Sequence, residues 1–250
     1  MNSGNFLGVV ISLCDLTGHM VQLWVDAGYR AVLVDPQHGA NSDDGRVERI
    51  AGTVLDAAPR IGEILRTERV VAVFGFPPCT DVAVSGSRWF EAKAAKDKHF
   101  QAKAALVAEQ CRTIGLVAGA PWFFENPVSV FSSIFGSASH SFNPADFTGY
   151  CANDNYNKKT CLWARGGFVM PKAFRDETLG APDNRIHMAP PGPERANFRS
   201  ATPMGFAQAV FLANAPHLRE CHNPCVSHEI DPENVTTGND NVPAGARGVA

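Results

Sequence analysis

Short, unbroken apolar runs alternate with segments of helical spacing along the first half of the chain. Runs of strand length occupy residues 8–13 (GVVISL), 31–34 (AVLV) and 70–76 (VVAVFGF), and they are apolar enough to be buried on both faces of a sheet. From Phe100 to Ile114, apolar residues instead recur at the period of an amphipathic helix. This alternation predicts an α/β fold, with a mostly parallel sheet and helices on both faces.

Glycines and a further apolar run mark the expected limits of these elements. The helix after the first strand is predicted to end near Ala27-Gly28, and Gly119 is predicted to cap the long helix. Residues 122–124 (WFF) are predicted to be a fourth short strand that leads into Glu125-Asn126-Pro127. We therefore expect four strands whose ends carry loops.

The second half of the chain has a different composition. Beyond Ser132 it becomes richer in Pro, Gly and Asn, and only residues 205–215 are predicted to be helical there. The end of the chain is polar and glycine-rich. We therefore predict one domain over residues 1–220 and a flexible C-terminal tail over residues 221–250.

Charge and hydropathy exclude several classes of protein. The formal net charge of −3 gives no large positive field for holding nucleic acid, although a local basic groove is still allowed. No stretch approaches the roughly 18 apolar residues of a membrane span, and the N-terminus lacks the basic region of a secretory signal. We expect a cytoplasmic protein with no membrane partner. The sequence leaves its oligomeric state open.

The seven cysteines do not suggest a disulfide framework. Their number is odd and most are scattered along the chain. In the run CHNPCVSH, the residues Cys221, His222, Cys225 and His228 are of the types that bind zinc, but their spacing matches no familiar zinc finger. Reduced thiols and no bound metal are therefore expected, with Cys221 and Cys225 as weak candidates for metal ligands.

Polar and nucleophilic residues follow the predicted strands. They are residues 15–18 after the first strand, Asp35 after the second, residues 77–80 (PPCT) after the third and residues 125–127 (ENP) after the fourth. The carboxyl ends of parallel strands meet at one edge of a sheet, where α/β proteins bind their ligands. These segments are therefore predicted to line one site.

Taken in order, these segments resemble the motifs of the cytosine C5 methyltransferase family, in a short, divergent, phage-like branch. The segments that carry the resemblance are LCDLTG with the following AGY, Asp35, PPC with the following SG, ENP, YNKKTCLW (residues 156–163) and FRSATPMGFAQAV (residues 198–210). The resemblance covers residues 8–215 and implies a Rossmann-like fold that binds S-adenosylmethionine (SAM).

The resemblance implies transfer of a methyl group from SAM to carbon 5 of cytosine. Cys79 would add to carbon 6, and the carboxyl group of Glu125 would stabilise the charge that develops on N3. The implied cofactor-binding residues are Asp15, Thr17, Gly18, Asp35 and Pro77. The implied substrate-binding residues are Pro78, Thr80, Ser85, Asn126, Pro127, Lys158, Lys159 and Arg199.

Two departures from the family pattern bear on the substrate. Leu16 stands where the first motif usually has a glycine, and only residues 164–198 lie where sequence-specific members carry a target-recognition domain. Three hypotheses follow. The substrate is DNA cytosine with little sequence discrimination, or it is a free deoxycytidine nucleotide (dCMP), or the chain is a noncatalytic module that binds nucleotides or nucleic acid.

Overall fold

The computed structural model describes residues 6–192 and 194–220, which form one mixed, mostly parallel β-sheet with helices on both faces. The strands are β1 (Val9–Leu13), β2 (Arg30–Val34), β3 (Ser42–Asp43), β4 (Val47–Ile50), β5 (Val70–Gly75), β6 (Trp122–Pro127), β7 (His140–Phe142) and β8 (Thr160–Arg165). They lie in the order β3-β4-β2-β1-β5-β6-β8-β7. Neighbours from β4 to β6 pair in parallel, whereas β3 and β8 are antiparallel to theirs. The predicted α/β architecture is confirmed.

The helices are α1 (Gln22–Asp26), α2 (Val54–Thr67), α3 (Phe90–Lys96), α4 (Phe100–Ala118), α5 (Phe131–Phe135), α6 (Arg185–Met188), α7 (Arg195–Ser200), α8 (Met204–Asn214) and α9 (Pro216–Glu220). Capping residues determine one end of each of the two longest helices, α2 and α4. α2 begins with a capping box, in which Thr53 and Asp56 each accept a hydrogen bond from the other's backbone N–H. α4 ends at Gly119, whose φ of 62° is left-handed, as the sequence predicts.

Hydrophobic side chains of the central strands are buried on both faces of the sheet. In β1, Val9, Ile11 and Leu13 pack on the side of α2 and α4, whereas Val10 packs on the side of α1 and α8. Alternate residues of a strand point to opposite faces, so a strand covered on both sides is apolar at nearly every position. The exceptions here are the buried residues Ser12 in β1 and Arg30 in β2. This is why the continuous apolar runs identify β1, β2 and β5 to within one residue at each end.

Several elements differ from the prediction. The sequence prediction lacks β3, β4, β7, β8, α2 and α3. Residues 205–215 are also not the only helical segment in the second half of the chain, because α5 begins at Phe131 and α6, α7 and α9 lie beyond it. The prediction that Glu125-Asn126-Pro127 forms a loop is wrong. These residues end β6 because β8 continues the ladder as far as the pair Pro127 and Thr160. The predicted tail, residues 221–250, lies outside the described residues.

The strand order places a crevice beside β1. From β1 the chain moves to β2 on one side and later returns to β5 on the other, and the carboxyl ends at such a reversal form the usual ligand-binding crevice. Asp15 follows β1 and Cys79 follows β5, so both lie at this edge. No helix within residues 6–192 and 194–220 is long and apolar enough to cross a membrane.

Candidate functional site

The loop that carries Cys79 is joined by hydrogen bonds to the end of β6. The Asn126 side chain donates from Nδ2 to the carbonyl of Pro77 at 2.9 Å. The backbones then pair antiparallel, since the N–H of Val84 donates to Val128 O at 2.9 Å and the N–H of Val130 donates to Val82 O at 3.1 Å. The positions of Cys79 and Glu125 are therefore mechanically coupled, although 46 positions separate them in sequence.

Cys79 lies in a tight turn with a half-buried thiol. Its carbonyl accepts hydrogen bonds from the N–H groups of Val82 at 3.1 Å and Ala83 at 2.9 Å. Burial raises the pKa of this thiol, and the charge of Glu125 raises it further, while the charges of Lys158 and Arg199 lower it. The thiol is thus within electrostatic range of a carboxyl group and two cations.

Glu125 is half-buried, and its carboxyl group makes no hydrogen bond or ion pair with the described part of the chain. Burial raises the pKa of Glu125, and the charge of Lys158 opposes this only in part. The carboxyl group therefore keeps a proton to higher pH than an exposed glutamate does. Its hydrogen-bonding capacity is available to a ligand.

The structure separates the two lysines that the sequence presents together. Lys158 is buried, 8 % exposed, and its Nζ donates to the carbonyl of Ala201 at 3.4 Å. Lys159 is exposed, and its charge opposes the effect of burial on the pKa of Cys161 instead. Only Lys158 acts on both Cys79 and Glu125.

Arg199 comes to the site from α7, far along the chain. Its half-buried side chain has a fully buried Nε that meets no hydrogen-bond acceptor among the described residues. Together with Lys158 it supplies positive charge beside the Cys79 thiol. Two segments that carry the resemblance, residues 156–163 and residues 198–210, therefore each bring one cation to the Cys79 thiol.

The loop after β1 is shaped by Asp15, which is 4 % exposed. Its Oδ1 accepts hydrogen bonds from the N–H of Thr17 at 3.0 Å and of Gly18 at 2.8 Å, and its Oδ2 accepts one from the Ser12 hydroxyl at 2.7 Å. Gly18 has a φ of +70°, and a Cβ there would lie 3.1 Å from Leu33, so glycine suits the position. Asp15 thus organises the loop from within.

Asp35 lies at the end of β2 and is 7 % exposed. Its Oδ1 accepts a hydrogen bond from the N–H of Gln37 at 2.8 Å, which caps the following turn. No hydrogen bond to its second oxygen, Oδ2, is seen from the described residues. Asp35 therefore both caps a turn and retains an acceptor for a ligand.

The segment of residues 198–210 lies next to the loop after β1. His19 Nδ1 lies 3.4 Å from the carbonyl of Thr202, and the buried Asp154 accepts a hydrogen bond from the N–H of Gly205 at 2.7 Å. The segment before α8 is thereby anchored next to the loop that follows β1. These contacts join two motifs that the resemblance places in one pocket.

Some predicted substrate residues lie on the outer side of the Cys79 loop. Pro78, Thr80 and Ser85 are exposed, whereas Pro77 is buried. Lys93, which the sequence analysis did not select, donates from Nζ to Thr80 O at 2.7 Å and to an oxygen of Asp81 at 2.7 Å. It ties α3 to the loop, and the sequence offers no signal for this contact beyond a helical lysine.

The metal prediction concerns residues outside the structure. Cys221 and Cys225 lie beyond the described part of the chain, and the described residues contain no group of three residues able to hold a metal ion. The five described cysteines are free thiols, in agreement with the prediction of reduced cysteines.

Comparison with known proteins does not identify a family for this chain. The function must therefore be argued from the residues of this chain and their arrangement. No protein-family model and no curated protein sequence matches the chain.

Proposed function

We propose that the protein has a Rossmann-like methyltransferase fold and transfers a methyl group from SAM to carbon 5 of cytosine in DNA. One observation carries the proposal: the Cys79 thiol and the free carboxyl group of Glu125 share an electrostatic site with Lys158 and Arg199. Parallel strands deliver the thiol and the carboxyl group to the edge of the sheet where α/β proteins bind ligands.

The thiol supplies the nucleophile. Carbon 5 of cytosine reacts poorly with electrophiles until a thiolate has added to carbon 6, so the Cys79 thiol gives its proton to solvent and its Sγ forms a bond to carbon 6. Burial opposes this ionisation, and the positive charges of Lys158 and Arg199 favour it. The two cations therefore promote the addition.

The carboxyl group stabilises the adduct. Addition of the thiolate moves an electron pair towards N3, where a protonated Glu125 can donate a hydrogen bond or its proton. Its raised pKa keeps a proton available for this step. After carbon 5 is methylated, a proton that was given to N3 returns to the Glu125 carboxylate. Loss of the carbon 5 proton to water then forms the double bond between carbons 5 and 6 and expels the Cys79 thiolate, which restores the ring.

The residues at the end of β1 and β2 fit SAM. The free Oδ2 of Asp35 suits a ribose hydroxyl, and Thr17 and Gly18 form a compact turn directly after β1. Asp15 holds that turn in place, and Pro77 forms the buried wall on the β5 side. When bound, SAM supplies an electrophilic methyl group.

The size of the segment between β8 and α7 supports weak sequence discrimination. Among the described residues between 166 and 194, the structure has one helix, α6, which is four residues long. A separate domain that reads a DNA sequence is far larger. The same observation favours a second candidate substrate, free dCMP, which requires no such domain.

Covalent trapping tests the proposal. The full chain is incubated with SAM and with 5-fluorocytosine in duplex DNA, in single-stranded DNA or as the mononucleotide, because fluorine at carbon 5 prevents release of the Cys79 adduct. We expect a stable adduct with DNA, and peptide mapping should locate it at Cys79. Cys79→Ser should abolish it, whereas the control Cys161→Ser, which changes another half-buried thiol, should not.

The outcomes separate the hypotheses. An adduct with the mononucleotide alone would replace DNA by dCMP as the substrate. Binding of SAM without any adduct would indicate a noncatalytic module. An adduct that persists in Cys79→Ser would exclude Cys79 as the nucleophile.

A further inference from the structure

A groove of about 830 Å³ runs along one flank of α4, and neither Cys79 nor Glu125 lines it. Its α4 wall extends from Ala102 to Leu116, about 21 Å at the rise of an α-helix. Aromatic side chains of β6 and β8 form the floor, and α5 forms part of the opposite wall. The groove is long enough to accept several turns of a helix.

Large apolar side chains around this groove are exposed. Leu106 is 56 % exposed, Leu116 is 49 % exposed, and Ile134 on α5 is 50 % exposed. α4 contacts its own sheet through a different stripe, Ala104, Ala108, Cys111 and Gly115. Exposed apolar side chains grouped around one groove favour an interaction surface.

The groove-facing residues of α4 have the spacing of a helix–helix seam. Five of the six α4 residues that line the groove, Ala102, Ala105, Glu109, Arg112 and Leu116, follow one another at intervals of three and four residues, as in a coiled coil, and the sixth, Leu106, adjoins Ala105. Glu109 and Arg112 form an ion pair with an N–O distance of 2.6 Å, and their side chains are 40 % and 39 % exposed. The seam therefore has a small residue, an acid, a base and a large apolar residue in that order.

When a second α4 runs in the opposite direction, the acid faces the base and the small residue faces the large apolar residue. We propose that the groove is a homodimer interface, in which α4 of a second copy lies antiparallel to α4 of the first. A two-fold axis between positions 110 and 111 sets Glu109 of each copy opposite Arg112 of the other, and Ala105 opposite Leu116. An isologous interface requires such reciprocity, in which each residue meets its partner twice.

Charge complementarity selects a second copy as the occupant. The acid and the base lie at equal distances from the two-fold axis, so each gains an opposite charge across the interface and meets no like charge directly. The small Ala105 leaves room for Leu116 of the other copy, so large and small side chains alternate across the seam. The inference is independent of the proposed enzymatic function, because it uses no residue of the catalytic site.

The experiment measures the mass of the full chain by light scattering and sedimentation over a range of concentrations. We expect wild type to be a dimer, and the single variants Glu109→Arg and Arg112→Glu to be monomers, because each places like charges opposite one another. An equimolar mixture of the two variants should form a heterodimer, since one copy then presents two arginines and the other two glutamates. If Glu109 and Arg112 interacted only within one chain, mixing the two variants could not restore association.

A matched control lies on α2. Glu63 forms an ion pair with Arg60 three residues earlier, also on an exposed helix surface, and Glu63→Arg should leave the dimer intact. Circular dichroism should show that all variants are folded. A monomeric wild type, dimeric single variants, or folded variants that fail to associate on mixing would each overturn the proposal. A monomer in which α4 is protected from hydrogen exchange only when residues 221–250 are present would assign the groove to that segment instead, and would also overturn it.

Discussion

The side-chain amide of Asn126 donates a hydrogen bond to the carbonyl of Pro77 at 2.9 Å, across the gap between β6 and the loop after β5. Asn126 is 1 % exposed and adjoins Glu125, and Pro77 precedes Cys79 by two residues. One buried bond thus links the strand of the carboxyl group to the loop of the thiol. Together with the backbone hydrogen bonds of Val84 and Val130, it sets the position of the thiol relative to the carboxyl group.

Asn126→Ala should reduce methyl transfer much more than it reduces SAM binding. Without the amide, the buried Pro77 carbonyl loses its donor, which should cost about 1–3 kcal/mol of unfolding free energy. Displacement of Cys79 should lower the transfer rate about 100-fold, the scale expected for a misplacement of about 1 Å. Urea unfolding and transfer assays measure the two effects.

Asn155→Ala is the control for this variant, because its Nδ2 also donates to a backbone carbonyl, that of Gly180, but on the surface. It should leave the transfer rate near that of wild type. Equal losses of rate in the two variants would show that the bond between Asn126 and Pro77 does not position the thiol.

The charges around Cys79 predict opposite shifts of its pKa in two variants. Lys158→Met removes a positive charge that stabilises the thiolate, so the pKa of Cys79 should rise and its alkylation should require higher pH. Glu125→Gln removes a negative charge that disfavours the thiolate, so the pKa should fall. Alkylation by iodoacetamide as a function of pH, read for the Cys79 peptide by mass spectrometry, measures both shifts.

Lys159→Met is the matched control, because the charge of Lys159 acts on Cys161. This variant should leave the alkylation profile of Cys79 unchanged. A shift of the same size with Lys159→Met as with Lys158→Met would contradict the proposed assignment of the two lysines.

Glu125→Gln should also separate the reactivity of the thiol from turnover. The variant makes Cys79 easier to ionise, yet it cannot give a proton to N3, so methyl transfer should fall by about two to four orders of magnitude. Initial rates with labelled SAM provide the measurement. Faster alkylation together with slower transfer is the expected combination, and transfer that increases with alkylation would exclude Glu125 as the acid.

The sequence predicts the parts of the fold that depend on local pattern. β1, β2 and β5 are recognised because nearly every residue of a doubly covered strand is apolar. The sequence also places Asp15, Asp35 and Cys79 at the carboxyl edge, because parallel strands share that edge. These inferences require only the order of residues along the chain.

The elements that the sequence misses depend on distant partners. β4 (VERI) carries Glu48 and Arg49, and the interior charge of Glu48 is balanced by Arg30 and Arg60 from other elements. α2 contains Pro59 as its sixth residue, beyond the first turn, where a proline cannot donate the helical hydrogen bond to the carbonyl of Leu55, so the helical signal of this segment is weak.

Prediction of the candidate site has the same limitation, because it depends on residues that are distant in sequence. The bond between Asn126 and Pro77 joins residues 49 positions apart, and no periodicity predicts such a contact. The charge of Arg199 reaches Cys79 from a helix 120 positions further along the chain. Motif resemblance selects these residues, whereas only the folded chain shows which of them meet.

Glu48 gives a prediction about stability and pH. Its side chain is 13 % exposed, Arg60 donates to both of its oxygens at 2.8 and 3.0 Å, and Arg30 forms a further ion pair with it. Burial alone would raise the pKa of Glu48, but the hydrogen bonds and charges of Arg60 and Arg30 outweigh it, so the pKa is lowered from its ordinary 4.5. The folded state therefore favours the carboxylate more than the unfolded state does.

The stability due to this shift is present above the unfolded pKa of 4.5 and is lost as pH falls through the lowered folded value. Glu48→Gln should cost about 2 kcal/mol of unfolding free energy at neutral pH, and the difference from wild type should shrink in acid. Glu63→Gln, which removes an exposed partner of Arg60, should cost less than about 1 kcal/mol. Urea unfolding at several pH values measures both, and a Glu48→Gln deficit that is constant with pH would show that the carboxylate's charge is not what stabilises this end of the sheet.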